Sequence, residues 1–500
     1  MIYRLTDYLD KTVTEYRDRT AVVDPARSIT YGELKSNALK IAGYLHSAGI
    51  TGESVAAYLD KSVTAVCILW GILYSGNHYT FIDEELNPER KRYIAEKLKT
   101  GVILTDSKSS DKCAELFDDI KAVNVDEILN GKEEYSFDPS DVRIYDTDPA
   151  YINFTSGTTG TPKGVVVGHR SVIDFINAFT ETFDITSDEV IGNQAPFDFD
   201  VSVKDIFSCA FTGATLVLIP RDYFVKPLEI TDYLDAKKVT TIIWAVTAMC
   251  FMTTLKAFAY KVPGSISKIM FSGEVMPYKH LRKWMQTYPD AMFVNLFGPT
   301  EITCNSTYHI LDKDRDYSTG IPIGRPFANE KVILLDGDTI VTGSNREGEI
   351  CVGGTTLAIG YLGDDKLTGE RFTQNPANTE YREIIYRSGD FGYYDDKGDI
   401  FFTGRRDVQI KRFGHRIELS EIESVTDSAE GVIRSCAVAD GDRLLLAYAG
   451  DTDTEALREF LEKKLPDYML PNSIRMIGSI PTNKNGKMDR AKIKEMLLEG

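Results

Sequence analysis

The chain has 500 residues, of which 43% are hydrophobic and 26% charged, and its formal net charge is −18. That length exceeds what one compact core accommodates, so two or more domains are expected, and the acidity repels phosphate backbones, which argues against nucleic acid as a partner. No apolar signal region follows Met1-Ile2-Tyr3-Arg4 and no apolar run approaches a membrane span, so the expectation is a cytoplasmic protein without membrane insertion.

In chain order, Thr30-Tyr31-Gly32-Glu33 has the spacing of a capping box, and Leu34, Ala38, Ile41 and Leu45 follow at helical spacing to about Ala48. Ala214–Pro220 and Val239–Val246 are nearly continuous apolar runs, which suits strands buried on both faces of a sheet. Gly392–Phe402 reads as strand, turn and strand, with the turn at Asp396-Lys397-Gly398. A domain boundary is expected near Gly404–Asp407, dividing a large domain (1–406) from a small one (407–500). In the latter, Ser435–Ala439 and Leu444–Ala449 read as strands and Glu455–Lys464 as a helix. Short apolar runs alternating with amphipathic stretches give an α/β class overall. The seven cysteines, from Cys67 to Cys436, form no CxxC pair and read as reduced, mostly buried thiols.

The densest chemistry lies in Phe154-Thr155-Ser156-Gly157-Thr158-Thr159-Gly160-Thr161-Pro162-Lys163-Gly164. Its glycines permit close backbone approach, and its hydroxyls and lysine are donors suited to phosphate oxygens. The spacing departs from the Walker A pattern, so this is a phosphate loop of another type. A flexible linker of similar composition has no need of the Pro-Lys-Gly ending or the apolar flank Tyr151-Ile152.

This stretch resembles the phosphate loop of the adenylate-forming superfamily, which includes acyl-CoA synthetases, luciferases and the amino-acid-activating domains of nonribosomal peptide synthesis. Further segments resemble that family's motifs in its order: Ile29–Leu34, Phe199-Asp200-Val201-Ser202, Asn295–Glu301, Tyr386–Asp390, Gly404–Asp407 with Gln409-Ile410-Lys411, and Asn485–Arg490. The resemblance implies a large domain of layered α/β sheets and a small, mobile α+β domain turning about a hinge at Asp407. It also implies ATP and Mg²⁺.

By the same resemblance, Thr155, Ser156, Gly157, Thr158, Thr159, Gly160 and Lys163 would hold phosphates. Gly273, Glu274, Asn295, Phe297 and Gly298 would surround adenine, with Phe297 stacked on the base and Asn295 reading its edge. Thr300 would bond the α-phosphate, Glu301 would bind Mg²⁺, and Asp390 with Arg405 would hold the ribose. Lys487 would place an ammonium between carboxylate and α-phosphate. In a second pose the loop near Lys411 would face the site while a thiol attacks the acyl-AMP. Adenylation brings two anions together, so a site built of cationic and hydrogen-bonding groups is what the chemistry requires.

Asp200 points to the acid. In the amino-acid-activating branch an Asp here pairs with the substrate α-ammonium, although a helix N-cap is the plainer reading. The segments Asn193–Asp200 and Ser272–Pro277 resemble D-alanine–carrier protein ligases. The chain runs only ten residues past Arg490, so a separate carrier protein bearing a phosphopantetheine thiol is the expected partner. By register Val201, Lys204, Ile243, Met270, Ser272, Leu296, Cys304 and Asn305 would line the amino-acid pocket. Two of these depart from the D-alanine pattern: Ser272 stands where Cys is usual, and Lys204 where an apolar residue is usual. Helix lysines mostly face solvent, so an outward Lys204 and a small apolar pocket are expected. An inward Lys204 would pair with an acidic substrate, which leaves D-alanine, another small amino acid and an acidic amino acid open. The basic residues Lys484, Lys487, Arg490, Lys492 and Lys494 either solubilise a helix or assist docking of an acidic carrier.

Overall fold

Thr30 begins the helix Tyr31–Ser47 with both halves of the capping box: its hydroxyl accepts from the Glu33 backbone N–H, and the Glu33 carboxylate accepts from the Thr30 backbone N–H at 2.8 Å. The helix buries Leu34, Ala38, Ile41 and Leu45, the expected stripe. The computed structural model describes residues 2–133, 135–155, 161–405, 409–481 and 488–498. The chain divides into two compact units, one of residues 1–84, 95–153 and 164–404, the other of residues 85–94, 154–163 and 405–500. The division is not a single cut, because two short segments from the first third of the chain group with the C-terminal unit.

The first unit is built on three sheets. The longest has nine strands. Its order is Arg325–Pro326, Thr307–Ile310, Met292–Phe297, Lys268–Ser272, Thr241–Ala245, Val190–Asn193, Thr215–Leu218, Thr20–Val23 and Ser28–Thr30. The apolar runs read as doubly buried strands are the third-from-last and central members, Thr215–Leu218 and Thr241–Ala245, and all five residues of the latter are buried.

Strand alternation sorts side chains to two cores. Ile243, Met270, Val294 and Leu296 join one core with Val203, Ile206 and Phe207 of the helix Val201–Thr212. Ile242, Trp244, Ile269, Phe271 and Phe293 join the other. The register pairs Ile243 with Met270 and Met270 with Val294, so these three point to the same face.

In the second unit, Val432–Asp440 and Arg443–Gly450 pair antiparallel, and Ser473–Met476 adds in parallel. Ile422 of the helix Leu419–Asp427 and Leu457 and Leu461 of the helix Thr454–Lys464 close their core. The strands Gln409–Arg412 and His415–Glu418 form a hairpin whose two turn residues, Phe413 and Gly414, have φ of 53° and 82°. Positive φ at both positions is the conformation that matches strand twist in a two-residue turn. Arg490 is turned inward, donating to Glu423 Oε2 at 2.8 Å and to the Ala437 carbonyl at 2.6 Å, while Lys494 pairs with Asp440 at 3.0 Å. Two members of the basic cluster are therefore engaged within the unit; Lys484 and Lys487 lie outside the described residues.

Cys67, Cys113, Cys209, Cys304, Cys351 and Cys436 are buried free thiols and Cys250 a half-buried one. Among the described residues no helix is long and apolar enough to cross a membrane. Replacing Thr30 by Ala removes one N-cap bond and is expected to destabilise the fold by about 1 kcal/mol. The measurement is a lower urea midpoint at unchanged m, with Thr30→Ser restoring it.

Candidate active site

The helix Val201–Thr212 positions the substrate-side residues. Every residue from 201 to 210 is buried, so the helix has no solvent face over that length. Asp200 precedes it, 7% exposed, and its side chain makes no capping bond, which removes the N-cap explanation for a carboxylate at this place. The carbonyl of Asp200 accepts from Cys304 Sγ at 3.0 Å. Burial, reinforced by the charge of Asp200, pushes the Cys304 thiol well above its ordinary range, so it stays protonated and is no nucleophile.

The expectation that Lys204 faces solvent is overturned. Lys204 is fully buried, and its ammonium donates to Asn305 Oδ1 at 2.7 Å. The reason is non-local: the helix is enclosed on all sides, and a lysine on it has nowhere else to put its charge. Its neighbour Asp205 is equally buried, accepts from Asn193 Nδ2 at 2.7 Å, and has its carboxyl pushed up to about 7 by burial, which Asn193 and Lys204 only partly offset.

Asn305 reaches Lys204 through an unusual backbone. Thr303 and Cys304 have φ of 55° and 74°, a region that β-branched and bulky residues rarely adopt. The Thr303 hydroxyl anchors the turn by donating to the Thr356 carbonyl at 2.7 Å. Gly298 permits it: a Cβ there would lie 2.5 Å from Asn305 Cα and 2.7 Å from the Cys304 carbonyl oxygen. Ile243, Met270, Ser272 and Leu296 are buried on adjacent strands, and the first two and Leu296 share the core that holds Cys304. Val201 is buried at the start of the helix.

Asn295 and Phe297 alternate with Leu296 and so point to the opposite sheet face, Asn295 being registered with Phe271. Asn295 gives one amide N–H to the Pro322 carbonyl at 2.9 Å, and the Phe297 ring lies 5.9 Å from that of Phe402. Gly273 has φ of 98°, and the Glu274 carboxylate accepts from the Thr247 hydroxyl at 2.8 Å.

Thr300 opens the short turn Thr300–Ile302. Within it Glu301 is fully buried and accepts from the Tyr361 hydroxyl at 2.7 Å. Among the described residues no cluster of three or more metal-ligating side chains occurs. One held carboxylate fits Mg²⁺, which takes one or two carboxylates plus phosphate and water oxygens rather than an all-protein cage.

Asp390 is 1% exposed and sits in an irregularity of the strand Ile384–Tyr394. Glu349 is registered with Phe391 and Cys351 with Arg387, so Ile350 alone faces Ser388, Gly389 and Asp390. Gly389 takes φ of 73°, its N–H donates to Glu349, and the Asp390 N–H donates to Ser388 Oγ at 3.0 Å. A bulge of this kind re-aims a side chain, here a carboxylate.

In the second unit, the Thr155 hydroxyl is buried with no hydrogen-bond partner among the described residues, a donor suited to a phosphate oxygen. Lys163 opens the strand Lys163–Gly168, Arg405 ends the strand Ile400–Arg405, and Lys411 lies in the hairpin. Ser156, Gly157, Thr158, Thr159, Gly160, Asp407 and Lys487 fall outside the described residues.

Sequence reasoning missed Tyr361, which holds Glu301 from 60 residues away. It also missed Tyr151, fully buried, whose hydroxyl has no hydrogen-bond partner among the described residues and is kept protonated by burial and by the charge of Asp200. No local pattern signals the first; the second stood in the apolar flank of the phosphate loop. A Gly298→Ala variant is expected to displace the Cys304–Asn305 backbone and lower adenylation about 100-fold while the circular dichroism spectrum is unchanged.

Comparison with known proteins adds the following. A family model described as AMP-binding enzyme matches residues 9–362. Bacitracin synthase 1 of Bacillus licheniformis is 32% identical over 499 residues, which is 98% of this chain and 9% of that protein. The D-alanine–D-alanyl carrier protein ligase of Bacillus cereus is 28% identical over 529 residues, 98% of this chain and 99% of that one. The chain thus spans less than a tenth of the large synthase and nearly all of the ligase. An adenylation domain of Vibrio cholerae solved with glycyl-adenosine-5'-phosphate superposes with a TM-score of 0.85 at 20% identity, covering 100% of this chain and 98% of that one. The o-succinylbenzoate CoA synthetase of Bacillus subtilis gives the same TM-score and identity, at 98% of each chain. At that identity both show the α/β fold alone, and equal scores for a glycyl-adenylate binder and a CoA synthetase leave substrate and acceptor to the site.

Proposed function

The chain belongs to the AMP-binding enzyme family, and on that premise we propose that this adenylate-forming ligase activates an amino acid as its aminoacyl-AMP and passes it to the phosphopantetheine thiol of a separate carrier protein. The observation that carries the amino-acid reading is Asp200: a buried carboxylate at the head of a buried helix that it does not cap. A substrate ammonium answers such a charge, whereas a simple acyl chain does not. The carrier reading draws on the D-alanine–D-alanyl carrier protein ligase, which the chain matches over nearly its whole length.

The chemistry is attack of the substrate carboxylate oxygen on the α-phosphorus of ATP, with pyrophosphate leaving. Mg²⁺ held at Glu301 would neutralise charge on the phosphates. Phe297 offers an aromatic face to adenine, with Gly273, Glu274, Asn295 and Gly298 around the base. Asp390 accepts from the ribose hydroxyls, with Arg405 beside them. Thr300 bonds the α-phosphate, and Thr155 to Lys163 hold the remaining phosphates. Lys487 supplies an ammonium where negative charge builds in the transition state. Asp407 is the hinge of the second half-reaction, and the hairpin of Lys411 serves the thiol.

Two measurements test this. Lys487→Ala is expected to lower amino-acid-dependent exchange of pyrophosphate into ATP by about 100- to 1,000-fold while ATP binding stays intact; unchanged exchange removes Lys487 from its role. Asp200→Asn is expected to lower kcat/KM for the amino acid about 100-fold or more. Exchange driven by simple carboxylic acids, and by no amino acid, replaces this reading with an acyl-CoA synthetase.

A further inference from the structure

Lys204 and Asn305 form a pair with a distinctive inventory. A lysine ammonium only donates, so the atom of Asn305 facing it is the carboxamide oxygen, with Nζ 2.7 Å from Oδ1. That orientation turns the Asn305 NH₂ away, and it makes no hydrogen bond with any described residue. Lys204 has no carboxylate within ion-pair reach among the described residues, and its one hydrogen bond leaves two N–H donors. The pair therefore offers N–H groups and a positive charge, and no acceptor, in a place where both residues are at most 2% exposed. The acidic neighbours do not cancel this. Asp205 interacts with Lys204, but burial pushes its carboxyl up to about 7 and it is shared with Lys61, so it supplies only part of a counter-charge; Asp200 stands one helical turn away at the site of the substrate ammonium.

An apolar substrate side chain laid against such a pair would leave a desolvated ammonium with only the partly protonated Asp205 as counter-charge, which is costly for a buried ion. A carboxylate accepts through both oxygens and carries the missing charge. Residues four apart on a helix stand about 5–6 Å from one another. An α-ammonium at Asp200 and a carboxylate at Lys204 would thus be received by side chains that leave neighbouring positions one turn apart.

Resting on the amino-acid reading above, we infer that the substrate is an acidic amino acid, aspartate or glutamate, whose side-chain carboxylate is received by Lys204 and Asn305. Lys204 is then a specificity-determining residue and Asn305 the residue that orients it.

The test is pyrophosphate exchange by the full-length protein with both enantiomers of alanine, aspartate, glutamate, asparagine and glutamine, together with glycine and serine. The expected result is exchange with one acidic amino acid at a kcat/KM about 100-fold above that of its amide, which has the same shape and no charge. Lys204→Met is expected to abolish that preference. A purely structural lysine would instead lower the melting temperature and leave the acid-to-amide ratio unchanged. Exchange with alanine, glycine or serine in preference to the acids overturns the inference while amino-acid activation stands. Exchange with simple carboxylic acids alone overturns both. If Lys204→Met does not fold, the acid-to-amide ratio of the unmodified protein still decides.

Discussion

Ten consecutive buried residues at the start of the Val201–Thr212 helix include a lysine and an aspartate, and much of the site follows from placing them there. A buried ammonium requires an acceptor, and Asn305 supplies it. Asn305 reaches the helix only if the chain turns back on itself at Thr303 and Cys304 in left-handed backbone, and that turn fits only against a glycine at 298. The Cys304 thiol then meets the Asp200 carbonyl and ties the turn to the head of the helix. A strained loop, a glycine without room for a methyl, a protonated cysteine and an asparagine are thus one arrangement rather than four.

Strand alternation does the remaining division of labour. Along Met292–Phe297, Leu296 joins the core on the helix side, while Asn295 and Phe297 face the other way. The side chains proposed for the amino acid and those proposed for the base come from consecutive residues of one strand, separated by its backbone. Such a strand carries two recognition functions without added length, because successive side chains point to opposite faces.

What was legible in the sequence was mostly local. The Thr30–Glu33 capping box depends on two residues three apart, and it formed as read. The paired strands near the C-terminus were read four and two residues short, at Ser435–Ala439 for Val432–Asp440 and Leu444–Ala449 for Arg443–Gly450, because polar ends fade into turns. The fold class was read correctly from alternating apolar runs and from the motifs that resemble the family. The orientation of Lys204 was not legible. Solvent exposure is the usual fate of a helix lysine, and only enclosure by distant strands makes this one an exception. The same holds for residues 85–94 and 154–163, which group with the C-terminal unit through contacts that no local pattern encodes.

The irregularity at Asp390 has a consequence for how such a site can change over time. Three residues there oppose one, an excess of two, which is even. Side chains therefore keep their phase across it: Tyr386, Ser388, Asp390 and Gly392 are all buried. An even excess can be gained or lost without exchanging the inner and outer faces of the flanking strand, whereas an odd one exchanges them. The carboxylate is in this sense an insert, carried by chain length on top of a sheet whose pairing continues on either side. Substitution erodes such a feature gradually, but deletion of two residues removes it in one step and leaves the sheet's own pattern intact.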